Sequence, residues 1–506
     1  MQWQVSVSPL QPYTAWRTEA LRARLLHETK DGVPSERLLQ QIWRHQRVRP
    51  EPLTTLDGQP VRVLHPGFWN REAGPDFRRA VIQLGDDLPR TGDVEVDLHP
   101  GAWRGHGHDR NPAFGHVILH VVWDADDRPP CVLPTLTLCS RLDAPLDQLA
   151  SLLGFDAPPP PKLPGQCAGP LGGLPETEVS ELLRQAALVR LQQKATAFEA
   201  RAREAGWEQA LWEGLFAALG YKHNTWPFRR LAERLPQLIS SPTKPDPFHW
   251  QARLLGVGGL LPAELTRAQA GTDAHLRRLW DIWWREREQF ADLTLPRTTW
   301  HLAGVRPANH PQRRLALAAH WLAWGDLPAR LEQWFTASFP AGALEDALLE
   351  VLRVERDDFW AWHWTLRSPR LTRPKPLLGA PRATDLAVNI ILPWLWMRAV
   401  AGSNDRLRRE AEQRYLGWPR AEDNATLRLA RQRLLGGDRR GRSRTAAQQQ
   451  GLLQIVRDFC EHSDALCGDC CFPTRVAHLS RELARSGFPV AGRLNRGHAD
   501  PGSSTT

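Results

Sequence analysis

Between Gly74 and Trp123 the chain concentrates groups that bind divalent cations. Asp76, Glu95, Asp97, His99, His106, His108, His116 and His120 all lie on or beside short β-patterned runs. Carboxylate oxygens and imidazole nitrogens at that density are the donors a divalent-metal site requires. A metal held that way activates water for hydrolysis, and donors carried on strands are fixed more rigidly than donors on loops. Each group also has a plain structural use. Asp76, following Gly74-Pro75, suits a turn cap, and Glu95 with Asp97 suits the exposed face of an antiparallel sheet. His106 and His108 suit a solvated Gly-rich loop, and of His116 and His120, four apart on a strand, one suits a hydrogen-bonded core position. The coincidence of so many donors on one small sheet favours a hydrolytic metal centre.

The elements that must position these donors follow from periodicity. A helix over residues 34–48, with Ser35 as its cap, leads in. Val61, Val63 and His65 share one face of a first strand, and the run after Asp76 forms a second. Residues 85–92 read as a turn-rich loop. Residues 93–99 then alternate: Val94, Val96 and Leu98 point one way, and Asp93, Glu95, Asp97 and His99 the other. Four ionisable groups in a row tolerate burial only with a counterion. Residues 116–123 are apolar enough for a central strand, and residues 131–138 suit a fifth, with Cys131 and Cys139 as strand-core thiols.

A leading helix, an Asp at the mouth of a strand and Glu-x-acid on the next strand together resemble the PD-(D/E)XK nuclease core. The spacing is Pro75-Asp76, eighteen residues, then Glu95-Val96-Asp97. The resemblance implies that Asp76 and Glu95 hold Mg²⁺ or Mn²⁺. The third position, usually a Lys that orients the attacking water, is Asp97 here, an acid as in some restriction enzymes of that superfamily. His99 is the candidate substitute base, Glu36 on the leading helix a candidate additional carboxylate, and Arg78, Arg79, Arg104 and Arg110 candidate phosphate contacts.

The chain of 506 residues suggests two or three domains. Its 65 basic against 56 acidic residues give a net charge of +9, which suits a polyanionic partner such as nucleic acid. The 23 Trp are unusually many and suit helix–helix contacts first and base stacking second. No apolar run reaches the ~18 to 20 residues of a membrane span, and the start lacks a signal-peptide pattern, so a soluble cytoplasmic protein is expected. The sequence sets no oligomeric state.

Past residue 158 the character changes. The expected organisation is α+β: an α/β domain over 1–156, a Pro-rich linker over 157–175, a mostly helical domain over 176–488 and a disordered tail over 489–506. Helical segments include 207–219, 226–234, 311–324 and 386–397, without a fixed repeat. The clusters GYKHNTWPF, RPANHPQRR and AWHWTLR read first as helix connections. Arg428, Arg431, Arg433, Arg439, Arg440, Arg442 and Arg444 form a basic run that suits a solvated loop or a nucleic-acid backbone contact. Near the end, Cys460, Cys467, Cys470 and Cys471 cluster, with Cys467-x-x-Cys470 the pair most typical of metal binding. Zn²⁺ or an iron–sulfur cluster fits, with Cys471, His462 or Cys167 as candidate fourth ligand.

Segments from Glu36 to Pro473 resemble an uncharacterised bacterial family, the domain of unknown function 2851. They include VRVLHPGFWNREAGPDFRRA, GDVEVDLHPGAWRGHGHD, VILHVVW, LGYKHNTWPF, RPANHPQRRLA and VNIILP. The family pattern carries His where Asp97 stands. The resemblance implies that Asp76, Glu95, Trp103, His106, His108, His120, Cys167 and the late cysteines form one shared motif set. It is also similar to nucleases whose single early cysteine joins three late ones at an iron–sulfur cluster, although Cys167 follows the nuclease-like core here rather than preceding it. The expected function is metal-dependent phosphodiester cleavage of nucleic acid. The alternatives are a non-catalytic nucleic-acid-binding or scaffold protein, and a histidine-rich metallohydrolase of small substrates.

Overall fold

The computed structural model describes residues 12–28, 33–49, 52–70, 74–125, 133–146, 149–150, 164–221, 223–239, 246–265, 274–340, 342–437, 445–460, 467 and 470–485. An N-terminal mixed sheet is followed by a mostly helical region, and the fold is α+β.

The leading helix α2 (Glu36–His45) begins at Ser35, whose hydroxyl accepts from the Leu38 N–H at 3.3 Å. Its apolar stripe of Leu38, Leu39, Ile42 and Trp43 packs against Val94, Val96, Leu119 and Val121 of the sheet. The strands are β1 (Leu53–Thr54), β2 (Pro60–His65), β3 (Phe68–Trp69), β4 (Phe77–Leu84), β5 (Arg90–Asp97), β6 (Val117–Val122) and β7 (Thr135–Thr137), in the order β1-β2-β4-β5-β6-β7 with β3 on β4. From β1 to β5 the pairing is antiparallel; β6 and β7 run parallel to β5. β6 is thus central, as its apolar composition predicts.

Several expectations are corrected in detail. A bulge between Val63 and His65 breaks the alternation, so Leu64 and His65 are both buried. The loop over residues 85–92 is shorter than expected, because Arg90, Thr91 and Gly92 already belong to β5. Gly92 is required there: a Cβ would sit 2.4 Å from Ile118 Cγ2 and 2.9 Å from the His116 carbonyl. Cys139 stands beyond β7, half-buried, its thiol 3.5 Å from Asp124 Oδ1, and is not a strand-core residue. Cys131, His462, residues 157–163 of the expected linker, Arg439 to Arg444 and the tail lie outside the described residues, while the rest of that linker carries the short helix Ala168–Gly173.

The first helix, α1 (Pro12–Glu28), does not pack with the sheet. Tyr13 and Trp16 join Leu171, Leu182, Phe459 and Phe472 in a helical core, and the Tyr13 hydroxyl donates to Asp458 at 2.6 Å. A second, larger helical core buries Trp321, Trp360, Trp394 and Trp418, so many tryptophans do fill helix contacts. The segment expected as one helix over 386–397 carries a π-helical insertion, Ala387–Ile391, before Leu392–Ala401. The helical region docks on β2: Trp226 Nε1 donates to the Leu64 carbonyl at 2.8 Å and Arg230 to the Val63 carbonyl at 3.1 Å. Two of the polar-aromatic clusters run from a connection into a helix: Trp226 and Phe228 lie in the helix Thr225–Glu233, and Pro311 to Arg314 open the helix Pro311–Trp324. Arg313 and Arg314 of RPANHPQRR are buried and spend their guanidinium donors on the carbonyls of His363, Lys375, Pro376 and Leu377. Among the described residues no helix is long and apolar enough to cross a membrane.

Candidate metal centre

Asp76 stands at the mouth of β4, where Gly74 with φ of +112° and Pro75 turn the chain into the strand. The Asp76 carboxylate accepts from the Val96 N–H at 3.2 Å and from Gln40 Nε2 of α2 at 3.0 Å. Its own N–H donates to Glu95 Oε2 at 2.9 Å. Register across β4 and β5 thus locks the two acids together. β5 sends Val94 and Val96 into the α2 side, which leaves Glu95 and Asp97 on the opposite face. Both are buried, Asp97 to 1% exposure.

That opposite face is roofed by the short helix α3 (Ala102–Gly105) and the turns after it. Trp103 meets His108 edge-on at 5.4 Å and His120 at 5.6 Å, and Phe114 stacks on His108 at 4.0 Å. The aromatic packing aims three imidazoles at the acids. His120 Nε2 lies 2.9 Å from Asp97 Oδ2, His106 Nδ1 3.3 Å from Asp97 Oδ1, and His108 Nδ1 3.5 Å from Glu95 Oε1. Among the described residues, three metal-donor atoms come within 4.8 Å of one another at Asp97, His106 and His108 alone.

The electrostatics follow from crowding. Burial first, then the Asp76 charge, pushes the Glu95 carboxyl far above its ordinary range. Burial and then the Glu36 charge do the same to Asp76, and burial with Asp97 raises Glu36. Burial also lowers His108. Among the described residues, the basic groups within 4.0 Å of Glu95 and Asp97 are imidazoles. As a donor set, carboxylate oxygens with imidazole nitrogens suit Mn²⁺ or Zn²⁺ better than Mg²⁺.

The structure therefore brings together Glu36, Asp76, Glu95, Asp97, His106, His108 and His120. It separates others. β5 ends at Asp97, so the alternation that put His99 on the acid face does not reach it; His99 sits half-buried in the following bend. His116 is exposed ahead of β6, and His120 is the hydrogen-bonded core histidine of that pair. Arg78, Arg79, Arg104 and Arg110 are exposed; Arg79 reaches over Phe68 and Arg110 lies 3.8 Å from Asp109. Arg431 and Arg433 are not solvated: both are buried, Arg431 against Asp423 and Arg433 with its guanidinium donating to Cys467 Sγ at 3.4 Å. Gln40 was not singled out from the sequence, though its place one turn after Glu36 on the same helix face was a usable signal. A cleft of about 970 Å³ lies elsewhere. Arg47, Arg62, Lys194, Arg201 and Arg230 line it at the far end of β4, roughly 23 Å along the strand from Asp76.

The second cluster also assembles. Cys167, Cys460, Cys467 and Cys470 line one small hollow with Phe459, Phe472 and Arg433, and burial followed by the neighbouring sulfurs pushes Cys167 and Cys460 up to about 12. Cys471 is exposed and stands apart from it.

A search of curated proteins and of solved structures finds no match to this chain. The family model described as protein of unknown function (DUF2851) matches residues 36–425, a span that includes the whole acid and histidine cluster, and the chain belongs to that family.

Proposed function

We propose that the chain is a metal-dependent phosphodiesterase that cleaves nucleic acid, with the nuclease-like core that the Asp76…Glu95-x-Asp97 pattern resembles. The observation that carries this reading is the convergence of Asp76 from the mouth of β4 with Glu95 and Asp97 from β5, joined by Glu36 from α2 and by three imidazoles. These side chains fit a divalent ion: Glu95, Asp97 and His120 are buried, the carboxylates repel one another, and no ammonium or guanidinium group lies within 4.0 Å of Glu95 or Asp97 among the described residues. Such an ion, when bound, polarises a phosphoryl oxygen and lowers the pKa of water. Asp97, His106 and His108 are its nearest donors, with Glu95 and Asp76 completing the set. Gln40 holds the Asp76 carboxylate by donating to it, and His120 holds that of Asp97. His106 is the exposed imidazole of the set, the donor that faces solvent where a substrate would approach. The net charge of +9 supports a polyanionic substrate.

The second reading, a metallohydrolase of small phosphodiesters, draws support from the position of the cleft lined by Arg47, Arg62, Lys194, Arg201 and Arg230, which is not beside the acids. One experiment separates the readings. Purified protein is assayed with Mn²⁺ on single-stranded DNA, linear duplex DNA, RNA and bis(p-nitrophenyl) phosphate, beside Asp76→Asn and Asp97→Asn. Cleavage of a nucleic acid by wild type, lost in both variants, is the expected result. Turnover of the small ester alone supports the second reading. Metal-independent binding without any cleavage indicates a scaffold.

A further inference from the structure

The four buried or half-buried cysteines of the helical region are not used by the acid cluster, yet the fold gathers them from distant parts of the chain. Cys167 immediately precedes the short helix Ala168–Gly173. Cys460 closes a π-helical turn, Val456–Cys460, at the end of the Ala446–Ile455 helix. Cys467 and Cys470 precede the helix Phe472–Arg485. A π insertion rotates the residues after it relative to the helix it interrupts, so the turn re-aims Cys460. Cys467 takes a φ of +140°, in the region that L side chains rarely adopt.

The surroundings are those of a thiolate metal site. Phe459, Phe472 and Pro473 wall the hollow, and Gly165 approaches so closely that a Cβ there would lie 3.3 Å from Cys167 Sγ and 3.7 Å from Cys467 Sγ. Arg433 supplies both a structural and an electrostatic partner. Its carbonyl accepts from the Gly165 N–H at 2.8 Å, and its guanidinium donates to Cys467 Sγ at 3.4 Å. A buried guanidinium directed at a sulfur is the outer-shell partner that a negatively charged thiolate centre needs. All four cysteines line one hollow, an arrangement of four sulfurs around a common centre rather than two separate pairs.

We propose that Cys167, Cys460, Cys467 and Cys470 bind a metal centre, zinc or an iron–sulfur cluster, that clasps the start of the helical region to its end. The clasp also fixes α1, because Tyr13 and Trp16 pack on Phe459 and Phe472 beside it. The proposal is independent of the acid cluster and stands or falls without it.

The test uses the full chain, purified without oxygen, with zinc and iron measured by mass spectrometry and inorganic sulfide by colorimetry. One zinc per chain without sulfide identifies zinc; iron with matching sulfide and an absorption near ~400 nm identifies a cluster. Either result supports the site if Cys167→Ser and Cys460→Ser lose that metal at least tenfold while Cys139→Ser and Cys471→Ser keep it. Circular dichroism of each variant, with Mn²⁺ binding at the acid cluster, shows whether the rest of the fold survives. Wild type that carries neither metal after reconstitution with zinc or with iron and sulfide would overturn the proposal. Equal metal content in Cys167→Ser and wild type would overturn it as well.

Discussion

Replacing Glu95 by Gln should stabilise the metal-free protein, and by an amount that depends on pH. Glu95 is 7% exposed and pushed up to about 9 by burial and by Asp76. A carboxyl whose folded value is raised contributes its full stability below its unfolded value of 4.5 and loses it as pH climbs towards 9. Each unit in that window costs about 1.4 kcal/mol, so at about pH 8 the upper bound on the penalty is about 5 kcal/mol. Titration shared with Asp76 reduces the expected gain to roughly 2–3 kcal/mol. Gln keeps an oxygen to accept from the Asp76 N–H, and it removes the charge. At about pH 5 the same bookkeeping leaves less than about 1 kcal/mol. In EDTA, the unfolding transition of Glu95→Gln should lie roughly 2–3 °C above wild type at about pH 8 and close to it at about pH 5. In saturating Mn²⁺ the order should reverse, because wild type alone gains the full ligand set. A variant less stable than wild type at about pH 8 in EDTA, or a difference that does not change with pH, would refute the reasoning.

Three further outcomes follow from the same geometry. His120→Phe removes the Nε2 partner of a carboxylate that is 1% exposed, so it should cost about 2–4 kcal/mol in EDTA by denaturant titration. Gly92→Ala drives a methyl into Ile118 and the His116 carbonyl and should cost about 1–3 kcal/mol, whereas Gly58→Ala, with open space but a φ of +83°, should cost about 1 kcal/mol. His65 is held neutral down to about 3 by burial and then by Arg79; its stability contribution is lost as pH falls below its unfolded value of 6.5. A substitution that cannot charge, His65→Gln, should therefore flatten the acid limb of the stability profile between pH 6.5 and 3, measured by thermal unfolding.

The part of the site legible in the sequence is the part set by strand alternation. Val94, Val96, Glu95 and Asp97 declare two faces by themselves, and the structure keeps them. Where a local backbone event intervenes, periodicity fails. The bulge at Val63–His65 buries two successive residues, and the end of β5 at Asp97 strands His99 in a bend. Histidines in the loop after β5 were ambiguous because their aim depends on Trp103 and Phe114, which pack from outside the strand pattern. Arg431 and Arg433 read as a solvated basic run because nothing local announces Asp423 or Cys467 as their partners. The first helix belongs to the sheet domain by proximity in sequence, whereas contacts far along the chain, Tyr13 with Asp458 and Phe459 and Trp16 with Phe472, assign it to the helical core.

The central claim is that the acids of β4 and β5 hold one divalent ion. Electron paramagnetic resonance of free Mn²⁺, titrated with protein at about pH 8, counts bound ions directly. We expect one Mn²⁺ per chain at the acid cluster, with binding weakened at least tenfold in Asp97→Asn and in Glu95→Gln. Wild type that leaves the free Mn²⁺ signal unchanged, or variants that bind as wild type does, would contradict it.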